Sequence, residues 1–455
     1  LRPFLTACLA AFVLSACGAV APTDRNADAP ARPDLPPVQR FRATAAEPPL
    51  RSNADMVRDF LDLSFQLETG RDLPVFTRFE GPITLRVTGA MPAPAGADLT
   101  ALLARLRAEA GIPITRTSAP DASITLEFVN GQRLHGLVPR AACFVAPRVR
   151  SWAEYRGAGR ATLDWATLSS RDHATIFIPD DTAPQEIRDC LHEELAQALG
   201  PLNDLFRLPD SVFNDDNIHT VLTGFDMLML RATYAPDLQS GMTRGAVAAR
   251  LPAVLNRLNP TGASQAARYP GPTPEAFVRA VEGALGPGSS RGGRRAAARS
   301  AVSIAKSEGW RDGRAGFAWL ILGRLTLSED PVTAADALLR AGAIYHSDPL
   351  LAIHSAHADM QLAALALSQG DAETAMRLAD LAAPRAAMAE NAALLATLLA
   401  VKAEALDVQG RVSEAREVRL DSLGWARYGF GPESEVRRQL TEIALLSPLN
   451  RARPR

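Results

Sequence analysis

Three short turn-forming segments, LSED at 327–330, LSQGD at 367–371 and DVQGR at 407–411, recur at a 40-residue offset in a stretch rich in Ala and Leu. Small residues keep the same phase, with Ala335, Ala375 and Ala415 each about five residues into the helix expected after the turn. A helix, a Gly- or Asp-bearing turn and a second helix cannot bury its apolar face alone. Such units stack, and about three are the minimum for a stable array. Residues 300–447 are therefore expected to be all-helical, with a surface suited to a protein or peptide partner.

The chain before this array reads as α+β over residues 52–245. MVRDFLDLSFQLE has helical spacing, PITLRVTG and ASITLEFV alternate as strands, and HATIFIPD is a third strand. GADLTALLARLRAEAGI predicts an amphipathic helix ending at Gly111. DTAPQEIRDCLHEELAQALG predicts a helix opened by an Asp/Thr cap with Pro in its first turn and closed at Gly200. IHTVLTGFDMLMLRATY predicts the last helix of the block. Residues 246–299 hold two Gly/Pro-rich runs around one short amphipathic piece, AFVRAVEGAL, and predict a linker region. Its Arg291, Arg294, Arg295 and Arg299 are expected to be solvated.

At the N-terminus, Arg2 precedes the apolar run FLTACLAAFVLSA, which is too short to cross a bilayer and fits a secretory leader over residues 1–16. Leu14-Ser15-Ala16-Cys17 resembles a bacterial lipobox, which implies cleavage before Cys17, lipidation of Cys17 and a membrane anchor. Gly18 in place of Asp implies the outer membrane of a periplasmic envelope. Residues 17–51 are Pro- and Ala-rich without periodicity and predict a flexible tether. Two cysteines then remain, Cys143 and Cys190, a natural disulfide pair in an oxidising compartment. A free buried thiol at each position is the alternative. With 49 basic and 50 acidic residues, no global field recruits nucleic acid.

The chemistry concentrates in CLHEELAQALGPLNDLFRLPDSVFNDD, residues 190–216. Glu193 and Gln197 are i and i+4 on a helix and share a face, while Ile187, Leu191, Leu195 and Ala198 form a separate apolar stripe. Glu194 falls at the edge of that stripe, so desolvation should raise its pKa. Gly200 and Pro201 end the helix, and Asn203 and Asp204 follow on the turn. Together these residues predict an acidic, amide-bearing cleft. The histidines are given structural roles, with His219 opening a helix, and Ser211 lacks a visible His/Asp arrangement.

The same residues resemble a metzincin site, H-E-x-x-H-x-x-G-x-x-H followed by a Ser-x-Met turn. Glu193, Gln197 and Asn203 stand in the ligand slots, Glu194 keeps the general-base slot, Gly200 keeps the glycine, and Phe213 replaces the turn Met after Ser211. Neutral amides are poor zinc ligands, so no metal and no other cofactor is expected. A register starting at His192 puts Ala196 in a ligand slot and gives no site either. The stretch is similar to an uncharacterised proteobacterial lipoprotein family, a domain of unknown function distantly related to metallopeptidases. The resemblance implies a zincin-like fold and an envelope location and leaves the function open. Residues 300–447 resemble divergent tetratricopeptide repeats.

Three functions are consistent with these features. The first is a non-catalytic envelope lipoprotein that binds a protein, peptide or polymer. The second is an atypical hydrolase using Glu194 as acid or base. The third is a structural component in which the polar residues of the helix are simply satisfied.

Overall fold

The computed structural model describes residues 36–41, 45–139 and 141–451, which form one compact unit. Cys17 and its leader lie outside the described residues. The unit begins with α1 (Asn53–Phe65), capped by the Ser52 side chain. Strands β1 (Ile83–Thr88), β2 (Ile114–Arg116), β3 (Ile124–Val129), β4 (Phe144–Pro147) and β5 (Ala174–Pro179) make one sheet in the order β2-β1-β3-β5-β4. All pairings are parallel except β4 with β5, which sets Val145 opposite Ile176 at an edge. Every residue of β5 is buried, as expected for a sheet covered on both faces.

One face is covered by α1, α2 (Ala93–Arg105), α5 (Pro184–Leu199), α6 (Gly224–Thr233) and α7 (Arg244–Leu258), which share its main hydrophobic core. The short helices α3 (Gly131–Leu137) and α4 (Trp152–Gly157) lie on the other side, where Phe144, Trp152, Tyr155 and Phe177 form an aromatic cluster. Helix α2 ends through a π-turn, residues 106–110, and Gly111 at φ 70° takes the left-handed position that closes it. The expected stop at Gly111 therefore has a backbone cause.

The C-terminal region is all-helical: α8 (Glu275–Leu285), α9 (Arg291–Ser307), α10 (Gly313–Thr326), α11 (Pro331–His346), α12 (Ala352–Gln369), α13 (Ala372–Met388), α14 (Ala392–Val408), α15 (Val412–Gly429) and α16 (Glu433–Ala444). Packing joins α8 to α9, α10 to α11, α12 to α13 and α14 to α15, and the three recurring segments are the turns of the last three hairpins. Asp330, Asp371 and Arg411 precede α11, α13 and α15, and their carbonyls accept from the amides of Ala334, Ala375 and Ala415. All three alanines are fully buried, so the equivalent small residue of the first hairpin is Ala334 rather than Ala335. The segment Pro349–Gln369 is long and apolar enough to cross a membrane, yet α12 packs between α11 and α13 with Asp359 buried.

Several local expectations change. The stretch read as a linker, 246–299, carries most of α7, all of α8 and the first half of α9. The RGGRRAAARS sequence is helical because Ser290 caps it and Ala298, Ala301 and Val302 bury one face. The tether segment is not free at its end: Phe41 stacks on Trp425 at 4.4 Å, and the Gln39 amide donates to the Gly424 carbonyl. Helix α5 has no side-chain cap; Ala183 takes the cap position and Pro184 starts the helix. Residues 218–222 are not helical, because the capping box of Thr223 with Asp226 starts α6 later. Sequence periodicity also missed β2 and β4, which are only three and four residues long.

Candidate functional site

Helix α5 is held at both ends and along one side. Its apolar stripe, Ile187, Leu191, Leu195 and Ala198, is at most 2% exposed, and each fully buried Leu or Ile is worth about 1.5–3 kcal/mol over an exposed one. At its C-terminus the buried Arg171 guanidinium donates to the carbonyls of Gln197, Ala198 and Gly200, which otherwise have no helical partner. Burial lowers this arginine's pKa to about 10, so it stays cationic. Gly200 is required by space, since a Cβ there would sit 3.0 Å from the Thr233 methyl. In mid-helix, the Cys143–Cys190 disulfide ties α5 to the residue just before edge strand β4.

So placed, α5 brings Glu193 and Glu194 to meet three carboxyls from other segments: Glu68 in the turn after α1, Asp204 just past α5, and Asp215 in the following loop. Burial pushes Glu193 up to about 7, and Glu68, Asp215 and Asp226 add to it. Asp215 also rises to about 7, through burial and then Glu68, Asp216 and Glu282 of α8. Glu194 is 4% exposed and is held well above the usual carboxylate range by burial, then by Glu193 and Glu68; only the Val145 amide of β4 pulls the other way. Asp204 is likewise raised by burial and by the other four acids. Glu68 stands exposed at the rim and hydrogen-bonds to Asp204, which requires a proton between them. Neither Glu194 Oε2 nor Asp204 Oδ1 has a partner. Among the described residues no Arg, Lys or His forms an ion pair with any of the five.

The expected site residues divide here. Glu193, Glu194 and Asp204 come together. Asn203 instead turns its amide to the Asp62 carbonyl at 3.1 Å, and Gln197 is buried on the helix with its own carbonyl taken by Arg171. His192 is 2% exposed and accepts from the Leu222 amide through Nδ1; burial, then Arg188 and Arg105, keep it neutral. Ser211 is a structural hydroxyl 2.5 Å from Asp226 Oδ1, and Phe213 is fully buried in the core. His219 does not open a helix; its Nε2 lies 3.1 Å from the Pro209 carbonyl. Glu68 and Asp215 were not foreseen: Glu68 closes the MVRDFLDLSFQLE stretch expected to be helical, but α1 stops at Phe65 and leaves it in the following turn, and Asp215 lies in an irregular loop whose NDD at 214–216 was the only trace.

These donors do not fit zinc. Two of the three ligand slots are amides, one already engaged, and among the described residues no group of three or more His, Cys, Asp or Glu is placed to hold a metal ion.

The helical region closes over this part of the domain. Arg188 of α5 pairs with Glu390 between α13 and α14, both buried. The Gln185 side chain accepts from the Ala393 amide at 2.9 Å, and the Tyr428 hydroxyl donates to Asp98 at 2.8 Å. Phe206 and Ile218, from the loop that carries Asp215, belong to the helical region's own hydrophobic core. His354 of α12 is fully buried against Asp216 at 2.9 Å.

Comparison with curated proteins and with solved structures returns no match. A family model does match, over residues 53–253, with the description Protein of unknown function (DUF2927). This match ends inside α7, before the helical region begins. A DUF2927 domain, of unknown function, thus covers residues 53–253.

Proposed function

We propose that this is a cell-envelope lipoprotein, non-catalytic, whose acidic cleft on α5 binds a positively charged segment of a protein, peptide or envelope polymer. The observation that carries the reading is the group Glu68, Glu193, Glu194, Asp204 and Asp215, crowded together without a cation of its own. An arriving ammonium or guanidinium would supply the missing charge and release the protons these acids hold. The amides in the ligand slots support recognition over metal-assisted turnover. The order of helices and strands around α5 is the support for a degenerate zincin-like domain, and the helix hairpins with buried Ala334, Ala375 and Ala415 are the support for tetratricopeptide-like repeats. Anchoring through Cys17 in a periplasmic outer membrane rests on the Leu14–Cys17 sequence and on the Cys143–Cys190 disulfide, which suits an oxidising compartment.

Titration calorimetry with an Arg/Lys-rich peptide tests the reading. Binding should tighten from pH 6 to pH 8 as the carboxyls ionise, and it should be lost in the Glu193→Gln/Glu194→Gln double variant. Equal binding of a Glu-rich peptide, or none of the basic one, would refute it.

One observation favours a second reading. Glu193 and Glu194 are adjacent carboxyls both held above the usual range by burial and by each other's neighbourhood, and a pair of such acids can serve as acid and base in hydrolysis. Cleavage of a peptide or glycan substrate by the native chain, abolished by Glu194→Gln, would replace recognition with catalysis.

A further inference from the structure

A cavity of about 340 Å³ opens between α5, the 217–220 loop and the inner face of α10, α12 and α14. Its volume lies in the range of small-ligand sites, and junctions between structural layers are common places for them. From α5 its wall is formed by Gln185 and Asp189, not by the carboxyls of the acidic cleft.

Three of its walls end in buried polar atoms that meet nothing. Asp189 Oδ1 comes from α5, Thr220 Oγ1 from the loop and His357 Nε2 from α12, and all three lack a hydrogen-bond partner. The Thr220 residue is only 8% exposed. Leaving a buried polar group unpaired costs about 1–3 kcal/mol, so three facing one space from three separate elements point to a polar occupant. The mouth holds Arg324 of α10, whose guanidinium has no carboxylate partner among the described residues. Asp189 lies on α5 and Arg324 on α10, so the two opposite charges come from separate walls of the cavity. Between them Met360, Leu394 and Phe430 give the cavity an apolar side.

We propose that this cavity binds a small zwitterion of amino-acid or short-peptide type, its carboxylate on Arg324 and its ammonium on Asp189. Thr220 and His357 then hydrogen-bond its polar backbone, and an apolar side chain rests on Met360, Leu394 and Phe430. Burial, with Glu193 and Glu186 nearby, favours the protonated form of Asp189; an ammonium at Oδ1 restores the charged one. His357 is kept neutral by burial and by His354 and Arg324, so it offers a hydrogen bond rather than a charge. The site differs from the acidic cleft in the groups that line it and in a ligand that needs both charges, and Glu193 is the one cleft residue that acts on its Asp189.

The test is calorimetric titration of the full chain with alanyl-leucine, its N-acetyl form and its C-terminal amide. The free dipeptide should bind, and blocking either end should weaken it by about tenfold or more. Arg324→Ala should remove the preference for the free carboxylate, and Asp189→Asn the preference for the free amine. Arg324 is exposed and Asp189→Asn conserves shape, so both variants should fold, which the unfolding midpoint verifies. No binding of the dipeptide at millimolar concentration would mean that ordered water alone fills the cavity. Equal binding of the blocked forms, or unchanged preferences in the two variants, would equally overturn the proposal.

Discussion

Two groups of buried acids draw on the same loop after α5, and the chain treats them in opposite ways. In the first, Asp59 is fully buried and meets both Arg51 and Arg207, Asp62 meets Arg207 and Arg244, and Asp210 meets Arg51. In the second, Glu194 is as deeply placed, at 4% exposed, with only other carboxyls around it. The first group shows that arginines are available on these elements to neutralise buried acids. Their absence from the second is therefore a property of that place rather than of the composition. One group is paired with arginines from several segments; the other has no ion pair among the described residues.

The largest test of this contrast is Asp59→Asn. It removes the carboxylate that two buried guanidiniums share, leaving Arg51 with Asp210 alone and Arg207 with Asp62 alone, and breaking a buried pair costs on the order of 3–5 kcal/mol, read by urea unfolding. An unchanged midpoint would mean that the paired group is not structural. Next comes the Cys143→Ser/Cys190→Ser double variant, whose 47-residue separation corresponds to about 4 kcal/mol in the chain-entropy model. Because that bond seats Val145 beside Glu194, its loss should also shift the titration of the acidic cleft, followed by NMR of the carboxyl carbons.

The third test is pH dependence, and its sign is unusual. Glu193 titrates at about 7 in the fold against an ordinary 4.5, so the native state binds more protons than the unfolded one in between. Its contribution is full below about pH 4.5 and is lost as pH rises through about 7, a fall on the order of 3 kcal/mol. Thermal unfolding across that window should show it, and Glu193→Gln should reduce the slope without abolishing it, because Asp215 and Asp226 also rise to about 7; an unchanged slope would remove Glu193 from the account. The smallest effect is that of Glu194→Gln at pH 8, expected to stabilise by about 1 kcal/mol because it replaces a buried acid whose ionised form nothing balances. A loss of stability there would place Glu194 with the paired acids instead.

What the sequence disclosed follows the same division between local and distant causes. The π-turn stop at Gly111, the apolar stripe of α5, the buried Glu194 and the 40-residue recurrence are all set within a few neighbouring residues, and each was legible. Strand β4 was not, because FVAP is short and ends in Pro, and its place at the sheet edge is set by β5 and the disulfide. The start of α9 was hidden by its glycines, whose cost is offset by Ala298, Ala301 and Val302 packing on its neighbours. Asp215 joined the group from an irregular loop, where periodicity carries no signal, and Glu68 from a turn that the helical spacing of 56–68 had run past, because α1 ends at Phe65. Asn203 sat in the motif at the right spacing and still turned away, because the nearby Asp62 carbonyl gave its amide a better partner.

The seam at Phe206 bears on how such a protein can be inherited. Its ring lies 5.6 Å from Phe277 and 6.1 Å from Phe317, and with Ile218 it fills the interior of the helical region from across the family boundary at residue 253. The stretch that sequence comparison recognises is thus not the stretch that can be cut out. A gene truncated after that boundary would encode a surface with two core residues facing water, and shuffling it onto a different C-terminal partner would need matching sockets for both.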